Sequence, residues 1–547
     1  MISHRYGKRL QEKANMILHK IYNWSKQNKL DINYDKCENM VLSKGKQLQK
    51  AFKITINGNR IKNVNVMKYL GVMIDCSLTW TKHLDYIASK ISKTMNAMLS
   101  IAHKEWGLSG KAITMLNKAC IEPAILYGAP FWGEKIDNIN FKRKIQSIQR
   151  PILIRMCRAY RTTSNAALQV LAGCTPLYLK VKMLTWTWTF NNIQITKEGL
   201  NNLTKYADIG CLPNLDYNFL QTFVNNGIIK EKSKYVHPTN NYKADITDIN
   251  AEPYPTNFIF TDGSKNNRNV GASFIHFKHG NANFKHEAGF KLASYCSVPD
   301  AELYAIFQAI SYIYTLKDYK GHLRICTDSQ TSLRRINSDY FDCDMINNIR
   351  NKLKNIHNYK ISFAWVKGHS GVQGNEEADR LAKKHANENG EIIYTALTKK
   401  NIKDLIQQTA LQLWQVDWEN GDTGRITFKF FPCIQQRLAM KHLNIGYIMT
   451  QTFTGHGNLK HYLHRFGLSD EETCSCDGAS VQDVDHLIFY CSNYNRERSS
   501  LIQQTLQHGF NWPCELHHLV TEKELFYELQ TFIKKTKALE TNFKRTH

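Results

Sequence analysis

Two apolar runs that each end in Thr-Asp constrain this chain more than any other feature. The first is Asn257-Phe-Ile-Phe-Thr-Asp262-Gly-Ser264 and the second is Leu323-Arg-Ile-Cys-Thr-Asp328-Ser329. Each reads as a buried strand that delivers a carboxylate at its end, the first just before a glycine turn. Glu302 stands in the first turn of a helix expected over 301–315, whose apolar residues are dense enough for burial on most sides. Asp379 stands in an early turn of another helix, which Gly374-Asn375 can start and cap. Two strand ends and two helix starts can converge, and four carboxylates that converge make a metal site.

At 547 residues the chain exceeds one ordinary core, and about three to four domains are expected. Lysine and arginine number 72 against 47 acidic residues, a formal charge of +25 spread along the chain. Such a field suits a polyanion, nucleic acid first. No run approaches the roughly 18 apolar residues of a membrane span, so no membrane partner is expected. The basic start Met1–Arg9 has no apolar stretch behind it and does not read as a secretory signal. Fourteen irregularly scattered cysteines read as reduced thiols, apart from one cluster near the C-terminus.

From the N-terminus, an amphipathic helix is expected through about Lys29, burying Leu10, Met16, Ile17, Ile21 and Trp24. Asn57-Gly58 between alternating apolar positions predicts a hairpin, and Met67–Asp75 a further strand. The pattern is helical from Trp80 to Trp132, closed by Tyr127-Gly-Ala-Pro-Phe-Trp132. Lys142, Arg143, Lys144, Arg150, Arg155, Arg158 and Arg161 form the densest basic stretch of the first half. Their spacing brings several to one helical face, able to lie along phosphates or to be merely solvated. Arg150, Arg155 and Arg158 are the candidate nucleic-acid contacts. Residues 201–256, with Pro213, Pro238, Pro253 and Pro255, read as a connection.

Lys68–Gly71 resembles the primer-grip hairpin of reverse transcriptases of non-LTR retrotransposons, and Asn33–Lys36 the lysine motif before it. That resemblance makes 1–76 a remnant of polymerase palm and primer grip and 77–200 a thumb-like helical region. Ile148-Gln-Arg150 through Ala172-Gly-Cys-Thr-Pro-Leu177 matches the usual continuation. A polymerase of this class needs a pair of metal-binding aspartates. The chain contains no Asp-Asp dipeptide. The expectation is that the remaining polymerase motifs lie before Met1 and that this chain alone does not polymerise.

The order of elements from Phe258 onward, with Thr-Asp-Gly-Ser264, Ala301-Glu-Leu-Tyr-Ala-Ile306, Thr-Asp-Ser329 and Gly368-His-Ser-Gly-Val-Gln-Gly-Asn-Glu-Glu-Ala-Asp379, resembles ribonuclease H of type 1. The resemblance implies an α/β domain over 256–389, a mixed five-stranded sheet with helices. It implies hydrolysis of the RNA strand of RNA·DNA hybrids with two magnesium ions. Asp262 would bridge, Glu302 and Asp328 complete one ion, and Asp379 the other. Magnesium suits such a set because it prefers oxygen ligands. His369, between two glycines, would relay a proton. Asn375 would contact the RNA 2′-hydroxyl or only cap its helix.

Helical patterns resume after 387–398. Cys474-Ser-Cys476, then His486 after nine intervening residues and Cys491 after four more, can close a tetrahedral zinc site. This spacing, with Gly455-His-Gly457 before it and Tyr494 and Arg496–Arg498 after, resembles the C-terminal zinc-binding segment of the same retrotransposon family. A mostly helical region with a structural Cys-Cys-His-Cys zinc site is expected over 390–547. Arg465, Arg496, Arg498 and the C-terminal lysines would grip nucleic acid. The competing expectation is a non-catalytic nucleic-acid-binding remnant. A nuclear location follows only from the family's habit of copying into chromosomal DNA.

Overall fold

The computed structural model describes residues 2–42, 52–100, 108–192, 234–235, 243–251, 257–266, 269–278, 285–316, 321–338, 340–341, 343–357, 359–394 and 399–540. Most of the expected connection, including its four prolines, and the basic tail Lys544-Arg545 lie outside the described residues. The chain forms two compact units, Thr187–Thr409 and the combination of Met1–Trp186 with Ala410–His547.

The first unit is built on one sheet, and its strands and helices are numbered here in chain order. The strands are β1 (Asp245–Thr247), β2 (Asn257–Lys265), β3 (Val270–Lys278), β4 (Lys285–Leu292), β5 (Gly321–Thr327), β6 (Tyr359–Trp365) and β7 (Ile392–Tyr394). Their order is β7-β4-β3-β2-β5-β6-β1. β3 pairs antiparallel with both β2 and β4, whereas β5 joins β2, β6 joins β5 and β1 joins β6 in parallel. The mixed sheet is as expected, but it has seven strands rather than five. The two extra strands are three-residue edges with too little pattern to be read alone, and they fall outside 256–389. Buried Arg324 secures one edge: its guanidinium donates to the carbonyls of Ile249 at 2.5 Å and Ala251 at 2.9 Å.

The helices are α1 (Val298–Thr315), α2 (Gln330–Ile336), α3 (Asp344–Lys354) and α4 (Gln373–Asn387). α1 begins three residues before its expected start, because Asp300 accepts from the Ser297 N–H at 2.8 Å and hydroxyl at 2.7 Å. One apolar core joins α1, α3 and one sheet face, including Ile259, Ile306, Ile310, Ile325, Ile346 and Phe363. A second joins α4 to the other face through Phe260, Ile275, Ala378 and Leu381. Glycines set how close the helices come. A Cβ on Gly263 would stand 2.4 Å from the Glu302 nitrogen, one on Gly271 2.2 Å from the Ala382 carbonyl oxygen, and one on Gly374 2.3 Å from the Phe260 ring. Gly263 is thus not the turn expected after Asp262; β2 continues through it, and it lets α1 approach.

In the second unit, sequence-distant helices share one core. Trp132, Ile145, Ile152 and Leu168 from the first stretch pack in the same cluster as Trp418, Phe430, Phe453, Leu487 and Phe526 from the last. The Thr450 hydroxyl donates to the Cys157 carbonyl at 2.5 Å, and Arg437 to that of Leu171. The segments expected separately as 77–200 and 390–547 therefore form a single body from about Ala410 onward. A smaller cluster packs Leu10, Ala14, Leu18 and Tyr22 of helix Gly7–Gln27 on Ile54, Ile56 and Ile61. Leu10 packs as expected, but Met16, Ile21 and Trp24 of the expected face are exposed. The turn at Asn57-Gly58 joins Thr55–Ile56 to Asn59–Arg60 as expected. The single strand expected over Met67–Asp75 is instead a hairpin, Val66–Tyr69 with Val72–Asp75, turning at Leu70-Gly71 with positive φ at both.

Gly271→Ala should lower the stability of the sheet unit by about 2–3 kcal/mol, since the opposing atom is helix backbone and not a movable side chain. Denaturant unfolding of the two proteins measures it, and a shift below about 0.5 kcal/mol would contradict the packing described.

Candidate metal centre

Parallel pairing of β5 with β2 places Thr327 beside Thr261, so Asp328 and Asp262 follow side by side at adjacent strand positions. The absent side chain of Gly263 lets α1 lay Glu302 against the same point, in the helix's second turn rather than its first. One ligand atom from each of Asp262, Glu302 and Asp328 lies within 4.8 Å of the others. Asp379 is likewise in the second turn of α4. Ser273, which pairs with Asp262 across β2 and β3, donates to the Ala378 carbonyl at 2.6 Å and so ties α4 beside the cluster. Asp379 accepts from Lys383 one turn on, at 2.6 Å. The early-helix macrodipole explains neither acid, because its effect fades within the first turn.

Burial, followed by the charges of Asp328 and Asp379, pushes the Asp262 carboxyl up to about 7 against the opposing pull of Lys383. Glu302 rises well above its ordinary value through burial and then through Asp262 and Asp328. Asp328 rises by burial and by Asp379, while His369 opposes. Asp262 and Glu302 are each 5% exposed, and Glu302 Oε2 is buried without a hydrogen-bond partner. Lys383 opposes the charge at Asp262, but that lysine is engaged by Asp379. Convergent carboxylate oxygens with an orphaned acceptor fit hard divalent cations.

His369 is exposed on the loop between β6 and α4, at a φ of 53°. The loop meets the site at Gly368, where a Cβ would stand 2.9 Å from Asp328 Oδ2. Asn375 is not a cap: Val372 holds that position, and Asn375 lies inside α4, one turn before Asp379. It is 4% exposed, and its Oδ1 has no hydrogen-bond partner. Lys383 was missed in the sequence, although its spacing of four from Asp379 is a legible pairing signal.

The expected sulfur and imidazole groups also converge. Ligand atoms of Cys474, Cys476, His486 and Cys491 all lie within 4.8 Å of one another. Cys474 and Cys491 Sγ are 3.6 Å apart, and Cys476 Sγ is 3.3 Å from His486 Nε2. A tetrahedron with bonds of about 2.0–2.3 Å needs edges close to these, about 3.5–3.8 Å. The two-cysteine turn is closed by Asp477, which accepts from the Ala479 and Ser480 N–H groups at 3.1 and 3.0 Å. His486 and Cys491 are joined by a π turn over His486–Tyr490, in which the Cys491 N–H reaches the His486 carbonyl at 2.8 Å. Arg498 does not face solvent as expected. It is 3% exposed and donates to the carbonyls of Ile488 at 2.6 Å, Cys491 at 2.7 Å and Leu487 at 3.2 Å, holding the ligand-bearing turn.

Arg150 and Arg155 lie on helix Ile139–Cys157 and line one cavity together with Arg161. Arg158 is the left-handed residue that ends this helix and is not among the residues lining that cavity. The spacing argument failed there because the helix stops one residue earlier.

Residues 255–387 match the RNase H family model. The unit with the carboxylate centre thus contains a ribonuclease H domain. Among curated relatives, the putative 115 kDa protein in type-1 retrotransposable element R1DM of Drosophila melanogaster is 28% identical over 173 residues, covering 32% of this chain and 17% of that protein. The retrovirus-related Pol polyprotein from type-1 retrotransposable element R1 4 of Nasonia vitripennis is 30% identical over 131 residues, 24% of this chain and 33% of that protein. The chain spans about a sixth and a third of these relatives. They bear out the resemblance to retrotransposon polyproteins with a ribonuclease H domain. A solved structure of LC11-RNase H1 in complex with an RNA/DNA hybrid is similar at 15% identity, over 24% of this chain and 96% of that chain, with a TM-score of 0.21.

Because folding raises these carboxyl pKa values, the folded protein keeps protons that the unfolded chain releases above about pH 4. Without metal, the stability contributed by the cluster should therefore be fully present below about pH 4 and be lost as pH rises toward the Asp262 value of about 7, by on the order of 4 kcal/mol. Asp262→Asn should flatten this slope. Thermal melts of both proteins in chelator across that range test it, and a difference between wild type and Asp262→Asn that does not change with pH would refute it.

Proposed function

We propose that the chain is a metal-dependent endoribonuclease that hydrolyses the RNA strand of RNA·DNA hybrids, as one module of a retrotransposon polyprotein. The observation that carries this reading is the convergence of Asp262, Glu302 and Asp328 within 4.8 Å, with one buried Glu302 oxygen unpartnered. Two magnesium ions held there would supply an activated water and a stabilised leaving 3′ oxygen. Asp262 would serve both ions, Glu302 and Asp328 would complete the ligands of one, and Asp379 would hold the other. A second ion would compete with Lys383 for Asp379, and the lysine's side chain, 55% exposed against 22% for the aspartate, is free to turn to solvent.

The remaining residues position and relay. His369, on the exposed loop beside Asp328, moves a proton to or from the reacting oxygens. Asn375 lies one turn from Asp379 and offers its unpaired Oδ1 to the RNA 2′-hydroxyl, the group that separates RNA from DNA. In the other unit, Cys474, Cys476, His486 and Cys491 hold a structural zinc, since four protein ligands leave no position for water. Lacking an adjacent aspartate pair, the chain is not itself a polymerase.

Purified protein with magnesium should cut the RNA strand of a hybrid, and Asp262→Asn should reduce the rate by at least about 1000-fold. The same preparation should leave a primed template unextended. Cleavage that survives Asp262→Asn would remove the metal assignment. Elemental analysis of the full chain should find close to one zinc, and Cys491→Ser should lower both zinc content and melting temperature. A zinc-free, fully folded wild-type protein would reject the second site.

A further inference from the structure

A cavity of about 760 Å³ in the unit formed by Met1–Trp186 and Ala410–His547 combines cations with aromatic and apolar surface. Arg150, Arg155 and Arg161 line it, together with Tyr160 and Tyr462. Among the described residues no carboxylate pairs with any of the three arginines. Arg150 is held in place, donating to Asn165 Oδ1 at 2.6 Å and to the Arg161 carbonyl. Arg155 and Arg161 have no side-chain partner among the described residues, and Arg161 is exposed.

The aromatic part is rigid. The ring centroids of Tyr160 and Tyr462 are 6.0 Å apart. The Tyr160 hydroxyl is bonded to that of Tyr447, and the Tyr462 hydroxyl to Thr162 at 2.7 Å. Thr162 is in turn bonded to His456 Nδ1 at 2.9 Å, so the Gly455-His-Gly457 motif braces this wall. Burial holds His456 down at about 4, which keeps it neutral there. Tyr160 is partly exposed and offers ring surface, whereas Tyr462 is buried behind it, its ring packed by His456 at 4.9 Å and Phe466 at 4.8 Å. Pro151 and Ile154 add an apolar ridge. Pro151 also has no N–H to give the Ser147 carbonyl one turn earlier, which leaves an acceptor at the cavity's edge.

We infer that this cavity binds one unpaired nucleotide of a single-stranded nucleic acid. The base lies against Tyr160 and the Pro151–Ile154 ridge, and its flanking phosphates meet Arg155 and Arg161. Aromatic surface beside a track of cations is the combination that accepts single strands with little sequence preference. A duplex cannot use it, because its bases are stacked inside and its phosphates lie on a convex surface. The assignment stands independently of the hydrolytic reading, as it involves neither the carboxylates nor cleavage.

The test uses the full chain, in chelator, with RNA and DNA single strands of about 12 nucleotides, each carrying a central 2-aminopurine, the matching all-DNA duplex, which is not the hybrid assigned to the carboxylate site, and AMP as competitor. Single strands should bind more tightly than duplex, with 2-aminopurine quenched by stacking. Arg155→Gln/Arg161→Gln should weaken single-strand binding about 10- to 100-fold and lower the salt dependence by about 1 to 2 phosphate contacts. Ile154→Trp, which fills the cavity without changing charge, should abolish the quenching while keeping the salt slope. The double variant alters surface groups only, so its melting temperature should match wild type and its result decides the matter if Ile154→Trp does not fold. Unchanged affinity and salt slope in the double variant, quenching that persists in a folded Ile154→Trp, or duplex binding as tight as single-strand binding would each overturn the proposal. Displacement of the strand by AMP at equal concentration would overturn the assignment to a strand. The relative affinities of the RNA and DNA strands identify which is the preferred source of the nucleotide.

Discussion

The carboxylates within β2, at the end of β5 and in the second turn of α1 repel one another, and the rest of the sheet unit holds them together. Nothing in their own chemistry favours this without a cation. Burial and mutual charge drive Asp262 and Glu302 toward protonation, and one Glu302 oxygen lacks any partner. The opposing force is apolar packing on both sheet faces, delivered at short range because Gly263, Gly271 and Gly374 let backbone approach backbone or ring. The site is thus a local loss of stability supported by a surrounding gain, a division expected where function requires preorganised charge.

The other unit solves a different problem. Its cysteine and histidine ligands lie on a short turn and a π turn, neither of which has a large core of its own. Arg498 supports them by satisfying carbonyls at Leu487, Ile488 and Cys491 that the irregular helix leaves open. Below them, helices from residues 81–192 and 410–540 share one apolar cluster. The thumb-like resemblance and the zinc-segment resemblance, read at opposite ends of the chain, therefore describe parts of a single folded body.

Much of the carboxylate site was legible because each acid sits in a short segment whose own pattern announces it. The repeated Thr-Asp after two apolar runs predicts strands in matching register, and parallel pairing of Thr261 with Thr327 is that repetition made physical. The cysteine and histidine spacing was legible for the same reason. Long-range choices were not. Helix Gly7–Gln27 has apolar residues on more than one side, and periodicity could not tell which side the Thr55–Arg60 hairpin would cover. Arg498 and Arg150 looked like surface cations, yet their role depends on carbonyls and an amide brought up by folding.

By itself the sequence determined the class of chemistry: four acids in two strand ends and two helices, one Cys-Cys-His-Cys set, and a strong positive charge. These are properties of residue type and local spacing, and they survive without knowledge of any contact. Only the tertiary structure decided that Gly263 is a contact point and not a turn, that Lys383 engages Asp379, and that two distant helical regions make one core. It also decided that Arg155 and Arg161, but not Arg158, share a cavity with Tyr160 and Tyr462. The physical reason is the same in each case: close packing and charge pairing depend on distances through space, which local periodicity does not encode.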